Sequence, residues 1–373
     1  MKVTIIGAGN IGTYLAAYIS LKKDCKVWVY TSKSNFFNKE LTLLEEEKNF
    51  EHHVKLHCVT SDIKEAVRNA DYILITHPSF IVENTINEIT LHAKKGAVIG
   101  AIPSFGSKEE YYIDDLIKKG CIFFGSQRVP SLTRLITYGK AISLKQKNAY
   151  MKLGVIPQEY NEKVCSDMTT LIDIPCTPFY DYLTSPEISY ATSPHPSKIY
   201  EIFSVYSDNI VYKKIPLFYE EWGDDSSAML LQLSEDLKKV FLELKQLYDT
   251  NNKNFDSLKT YFNIQTPEQL THKIRTSPNF NSLDETDKGH HLDSESSFFI
   301  DDLLNGLCVL KSFSEILCLE VTTLDKVIYW AQELLEKNYI ENGSLCGEDI
   351  KHLVTPQTKD INSKDDLLKI ILW

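Results

Sequence analysis

No run of apolar residues in this 373-residue chain is long enough to span a bilayer, although hydrophobic residues make up 43% of it. A transmembrane helix is therefore not expected. No basic and then apolar leader precedes the first strand-like residues at Lys2. That leaves no room for a secretory signal, and the mature chain is read as starting at Met1. The cysteines (Cys25, Cys58, Cys121, Cys165, Cys176, Cys308, Cys318 and Cys346) include no C-x-x-C pair. Their spacing suggests neither a zinc site nor a disulfide framework, and a reducing cytoplasm is the expected location. A basic stripe is also missing: the formal net charge is -11, with lysines scattered among acids. Nucleic acid is accordingly not expected as a partner.

What is present begins at once. The length exceeds one ordinary core, so two domains are expected. Lys2 to Ile6 is a short β-branched run, as in a buried parallel strand, and G-A-G-N-I-G follows directly. Gly7, Gly9 and Gly12 fit G-x-G-x-x-G, with Asn10 and Ile11 between them and a helical apolar face over Ile11 to Leu21. In that pattern the first glycine permits a tight turn, the second lets a pyrophosphate approach the backbone, and the third allows close helix-to-strand packing. Strand, glycine turn and helix in this order predict a dinucleotide-binding domain of Rossmann type. A glycine turn without a ligand is the alternative.

The second strand, Lys26 to Tyr30, ends where an acidic residue would normally hold the ribose diol of NAD, but the chain reads Thr31, Ser32, Lys33. Hydroxyls and an ammonium suit a 2′-phosphate, so NADP is the expected cofactor, with NAD the alternative. Further strands are expected at Ala70 to Thr76, Gly96 to Ile102 and Cys121 to Gly125. Strand ends of this kind form a cofactor crevice, which makes Pro78 and Ser79 candidate cofactor neighbours, with a simple strand-terminating turn the equal alternative. His52, His53 and His57 fall in a stretch read as a polar, solvated connection.

Beyond about residue 185 the strand signals fade. Helices are expected after a cap at Asp225 or Ser226, from near Asp301, and over Leu324 to Leu335, from apolar residues spaced by three and four. The fold class read here is α/β: a doubly wound parallel sheet in residues 1–184, followed by an all-α domain in residues 185–373. His290, His291 and Asp293 sit in an aperiodic loop without helical ligand spacing, so no metal is expected. His195 lies between Pro194 and Pro196, which leave its backbone little freedom and place it at the start of a helix through Ile199, Ile202 and Phe203. By itself this is equally well a rigid structural turn.

Four stretches together resemble the octopine/nopaline (opine) dehydrogenase family. They are the glycine fingerprint, His195-Pro196, the aromatic-acidic segment F-Y-E-E-W-G-D-D-S-S-A at 218 to 228, and I-D-D-L-L-N-G-L at 300 to 307. The resemblance implies a Rossmann domain for NAD(P)H and a 6-phosphogluconate dehydrogenase-like helical domain. An amino acid and an α-keto acid would be the small-molecule partners, condensing to an imine that hydride reduces. It also implies His195 as the catalytic histidine, Asp302 as its carboxylate partner, and Arg134 and Tyr219 as substrate-binding residues. Such helical domains often pair as homodimers. The chain departs from the family at Ser297, where an arginine is usual, and at Leu304, where a proline is usual. A ketopantoate-reductase-like keto acid reductase and a non-catalytic NADP-binding regulator stand as alternatives.

Overall fold

The computed structural model describes residues 1–104, 109–179, 195–204, 218–247, 258–276, 303 and 306–370. The loop carrying His290, His291, Asp293 and Ser297, the pair Asp301 and Asp302, and Leu304 lie outside the described residues. The chain divides into two compact units, Met1–Ser185 and Pro186–Leu372.

The strands of the first unit are, in chain order, β1 (Lys2–Ile6), β2 (Lys26–Tyr30), β3 (Glu40–Glu45), β4 (Phe50–Lys55), β5 (Cys58–Thr60) and β6 (Tyr72–Ile75). There follow β7 (Val98–Ala101), β8 (Ile122–Ser126), β9 (Ser131–Thr137), β10 (Ala141–Lys147), β11 (Met151–Ile156) and β12 (Cys176–Phe179). Its helices are α1 (Asn10–Ile19), α2 (Ile63–Val67), α3 (Ser79–His92), α4 (Asp114–Lys118) and α5 (Asn161–Ile172). An eight-stranded sheet has the order β12-β11-β8-β7-β6-β1-β2-β5. It is parallel except where β11 runs antiparallel to β8. Successive residues of its central strands feed two different cores. Val3, Ile5, Leu74 and Phe124 face one, while Ile6, Ile73, Ile75 and Phe123 face the other. Burial on both faces explains why these strands read as unbroken apolar runs.

A second sheet, β4-β3-β10-β9, belongs to the same unit and was not expected from the sequence. It corrects the reading of His52 and His53 as a polar connection, since both lie in β4. Within β4 Val54 alone turns inward and is buried, so the strand has one wet face and no apolar run. His52 Nε2 pairs with Glu45 on β3 at 2.7 Å. His57 packs its ring at 5.4 Å from that of Trp28.

The second unit contains α6 (His195–Phe203), α7 (Asp224–Leu247), α8 (Leu258–Phe262), α9 (Pro267–Thr276), α10 (Leu307–Ile316), α11 (Thr322–Leu334) and α12 (Lys364–Ile370). Leu230, Leu233, Leu237, Val240, Phe241 and Leu244 form the buried stripe of α7. That helix begins at Asp224, so Asp225 and Ser226 lie inside its first turn rather than capping it. Asp236, buried in the middle of α7, accepts from the amides of Thr323 and Leu324 and so caps α11. The helix expected from near Asp301 starts at Leu307 in its α-helical part.

Candidate active site

In the first unit the strand order reverses between β6 and β1, with β2 and β5 beyond β1 on one side and β7 and β8 beyond β6 on the other. Ligands of open α/β sheets bind at such a switch point, outside the carboxyl ends of the strands. The glycine turn sits there and has the geometry a pyrophosphate needs. Gly7 has φ +110°, a conformation other residues rarely adopt. A side chain at Gly9 would meet nothing within 4 Å, so the backbone there is open to a ligand. A Cβ at Gly12 would overlap the carbonyl oxygen of Gly7, so helix and turn meet without room for one. Helix α1 starts at Asn10 with no side chain capping its first amides. Those amides and the helix dipole suit an anion, so the residues present fit a dinucleotide.

The Asn10 side chain is already engaged, because its Oδ1 accepts from the Leu135 amide of β9 at 2.8 Å. Ile11 is half-buried against the core. At the end of β2, Thr31 is buried, while Ser32 and Lys33 are exposed. The Thr31 hydroxyl accepts from the Lys33 amide at 3.2 Å and shares a hydrogen bond with the Tyr138 hydroxyl at 3.1 Å. Pro78 is exposed just ahead of α3. Arg134 lies within β9, the strand after β8, and its Nη1 donates to the carbonyl of Thr133 at 3.2 Å.

Sequence reasoning passed over His77, which lies two residues beyond the end of β6 at the switch point. Thr85 donates its hydroxyl to the Ile81 carbonyl at 2.8 Å, so it accepts from His77 Nδ1 at 2.9 Å. Burial pulls the imidazole below its ordinary 6.5, and the neutral ring then keeps its proton on Nδ1 and leaves Nε2 as an acceptor. Its Cδ2 edge lies 3.1 Å from where a Gly7 side chain would begin. The H-P-S turn after a switch-point strand was the signal available for it.

In the second unit His195 is the first residue of α6. Its Nε2 is 3.0 Å from the Tyr219 hydroxyl, and the Phe218 ring meets it edge-on at 5.3 Å between centroids. Asp302 lies outside the described residues, so Tyr219 is the side-chain partner described for this nitrogen. The segment carrying Phe218 and Tyr219 is held from two sides. Lys198, buried one turn along α6, donates to the Glu221 carbonyl at 2.7 Å and to Glu201 at 2.9 Å. Glu201 also accepts from Ser226. On the other side Trp222, fully buried and stacked on Tyr219, donates to Ser227 at 2.8 Å, and Ser227 bonds Thr271 of α9 at 2.8 Å. Lys198 and Glu201 carried no sequence signal beyond their helical spacing. A histidine held this way on a tyrosine has the groups for proton transfer.

Among the described residues no cluster of three or more His, Cys, Asp or Glu is arranged to hold a metal. No described helix is long and apolar enough to cross a membrane.

Comparison with known proteins divides along the same lines. Residues 194–335 match the family model described as NAD/NADP octopine/nopaline dehydrogenase, alpha-helical domain. Residues 2–111 match the N-terminus of NAD-dependent glycerol-3-phosphate dehydrogenase. The chain is 23% identical to an opine dehydrogenase of Haliotis discus hannai, over 99% of both chains. In fold it is similar to an octopine dehydrogenase solved with NADH and agmatine, with a TM-score of 0.81 at 21% identity, covering 99% of this chain and 98% of that one. A yersinopine dehydrogenase with NADP+ bound matches with a TM-score of 0.66 at 13% identity, over 99% of each.

Proposed function

We propose that the chain is an opine-type dehydrogenase, as the match of residues 194–335 to the octopine/nopaline helical domain supports, and that it catalyses the NAD(P)H-dependent reductive condensation of an amino acid with an α-keto acid, or the reverse. The observation that carries this reading is His195, held at the first residue of α6 with Nε2 on Tyr219. Both lie inside the span matched by the octopine/nopaline helical domain. Residues 1–184 would hold the dinucleotide and residues 185–373 the substrates and the acid–base group.

Amine and keto acid lose water to an imine, and one proton completes the secondary amine. The dinucleotide, when bound, supplies hydride for the imine carbon. His195 holds the proton at the reacting oxygen or nitrogen, and Asp302 is the carboxylate assigned to support its charged form. Tyr219 orients the ring and presents its hydroxyl to substrate. Arg134 is assigned to a substrate carboxylate, which a guanidinium can bind through two parallel hydrogen bonds. The dinucleotide is proposed to be NADP, since the end of β2 offers Lys33 and hydroxyls rather than a carboxylate. Two nearby acids are engaged elsewhere: Asp62 caps α2 through the amides of Lys64 and Glu65, and Glu65 accepts from Thr60.

The test is NADPH oxidation in the presence of amino acids and α-keto acids, offered singly and in pairs. Oxidation that needs both supports the proposal. Oxidation with a keto acid alone assigns a simple keto acid reductase, and binding without turnover assigns a regulator. His195→Ala is expected to lower kcat by about 10²–10⁴ with dinucleotide affinity unchanged; full turnover in that variant would remove His195 from the reaction.

A further inference from the structure

We propose that Tyr138, from the turn between β9 and β10, is part of the site for the dinucleotide's 2′-phosphate and sets the choice between NADP and NAD; this rests on the NADP reading above. The Thr31 and Tyr138 hydroxyls carry two hydrogens and share one hydrogen bond of 3.1 Å. One O–H is therefore left to donate outward. Thr31 is buried and already accepts from the Lys33 amide, whereas Tyr138 is half-buried. The arrangement that uses every group has Thr31 donating to the Tyr138 oxygen and the phenol O–H directed to the ligand side.

The place is the end of β2, where an acid accepting from a ribose diol would otherwise stand. A diol offers hydrogens and needs acceptors. A phosphomonoester offers oxygens and needs donors. With exposed Ser32 and Lys33 beside it, the Tyr138 hydroxyl makes this a donor-rich corner.

The tyrosine is also fixed in position. Its ring meets Phe37 edge-on, with centroids 5.7 Å apart at 84°. The turn is bonded by its backbone to the loop after β2, through the Asn38 amide and the Gly139 carbonyl at 2.9 Å. A backbone hydrogen bond thus ties the loop that would hold the phosphate to the turn that carries Tyr138. The inserted sheet becomes part of cofactor recognition.

The experiment measures NADPH and NADH dissociation constants by fluorescence titration for the wild type, Tyr138→Phe and Thr31→Val, with thermal melting as a check of folding. Adenosine 2′,5′-bisphosphate and 5′-AMP serve as fragments that carry and lack the 2′-phosphate. Tyr138→Phe is expected to weaken NADPH and the bisphosphate by about tenfold or more, the scale of a hydrogen bond to a charged group, and to leave NADH and 5′-AMP within about twofold. Thr31→Val, which removes the partner that aims the phenol, is expected to move affinities the same way and stands in should Tyr138→Phe not fold. An unchanged NADPH to NADH ratio in a folded variant overturns the role of Tyr138 alone. A wild type that prefers NADH overturns the 2′-phosphate reading, and this proposal with it.

Discussion

Gly9 and Gly12 stand three positions apart in one motif, yet a methyl group has opposite consequences at the two. At Gly12 it would overlap the carbonyl oxygen of Gly7, and backbone must shift to admit it. Gly12→Ala is expected to destabilise the first unit by roughly 1–3 kcal/mol and to weaken the dinucleotide. At Gly9 the backbone has φ -78° and nothing lies within 4 Å of a side chain. Gly9→Ala is therefore expected to melt with the wild type and still bind the dinucleotide poorly, because the methyl group stands in the ligand's space. Melting curves with and without NADPH check both. If Gly9→Ala binds as well as the wild type, the open face of the turn is not where the pyrophosphate lies.

Among the elements, α6 and the segment leading into α7 act together. Lys198 is 2% exposed and Glu201 27% exposed, and their ion pair also grips the Glu221 carbonyl and Ser226. Removing one partner of such a pair leaves the other charge stranded, at a cost of about 3 kcal/mol. Lys198→Met is expected to lower both the stability of the second unit and kcat, since Tyr219 loses its support against His195, while the dinucleotide dissociation constant stays as in the wild type. Denaturant unfolding and titration measure the two arms. Elements whose fold depends on local pattern were legible in the sequence. The strands β1 and β2 have the bounds read from Lys2 to Ile6 and Lys26 to Tyr30, and α11 lies within two residues of its expected ends. The inserted sheet was not legible, because β3 pairs with β10 from far along the chain and β4 has a single buried apolar residue. The same distance hid the site's finer chemistry: Thr31 meets Tyr138 from 107 residues away, and no local period announces that contact.

For the molecule as a whole, two compact units in one chain make a single unfolding transition the wrong expectation. Calorimetry is expected to resolve two. NADPH at a hundred times its dissociation constant should stabilise the transition of the first unit by about 2.7 kcal/mol, and Lys198→Met should lower the other. A single transition moved by both would refute independent units.

The Leu135 amide of β9 donates to the Asn10 side chain. Strand β9 is the outer strand of its sheet, and an outer strand with open amides is a template on which another chain can add. Asn10 covers one of those amides with a side chain from the glycine turn. The glycine motif thus also covers an edge amide of β9, so Asn10→Ala is expected to raise the tendency to aggregate, measured by light scattering, as well as to change dinucleotide affinity.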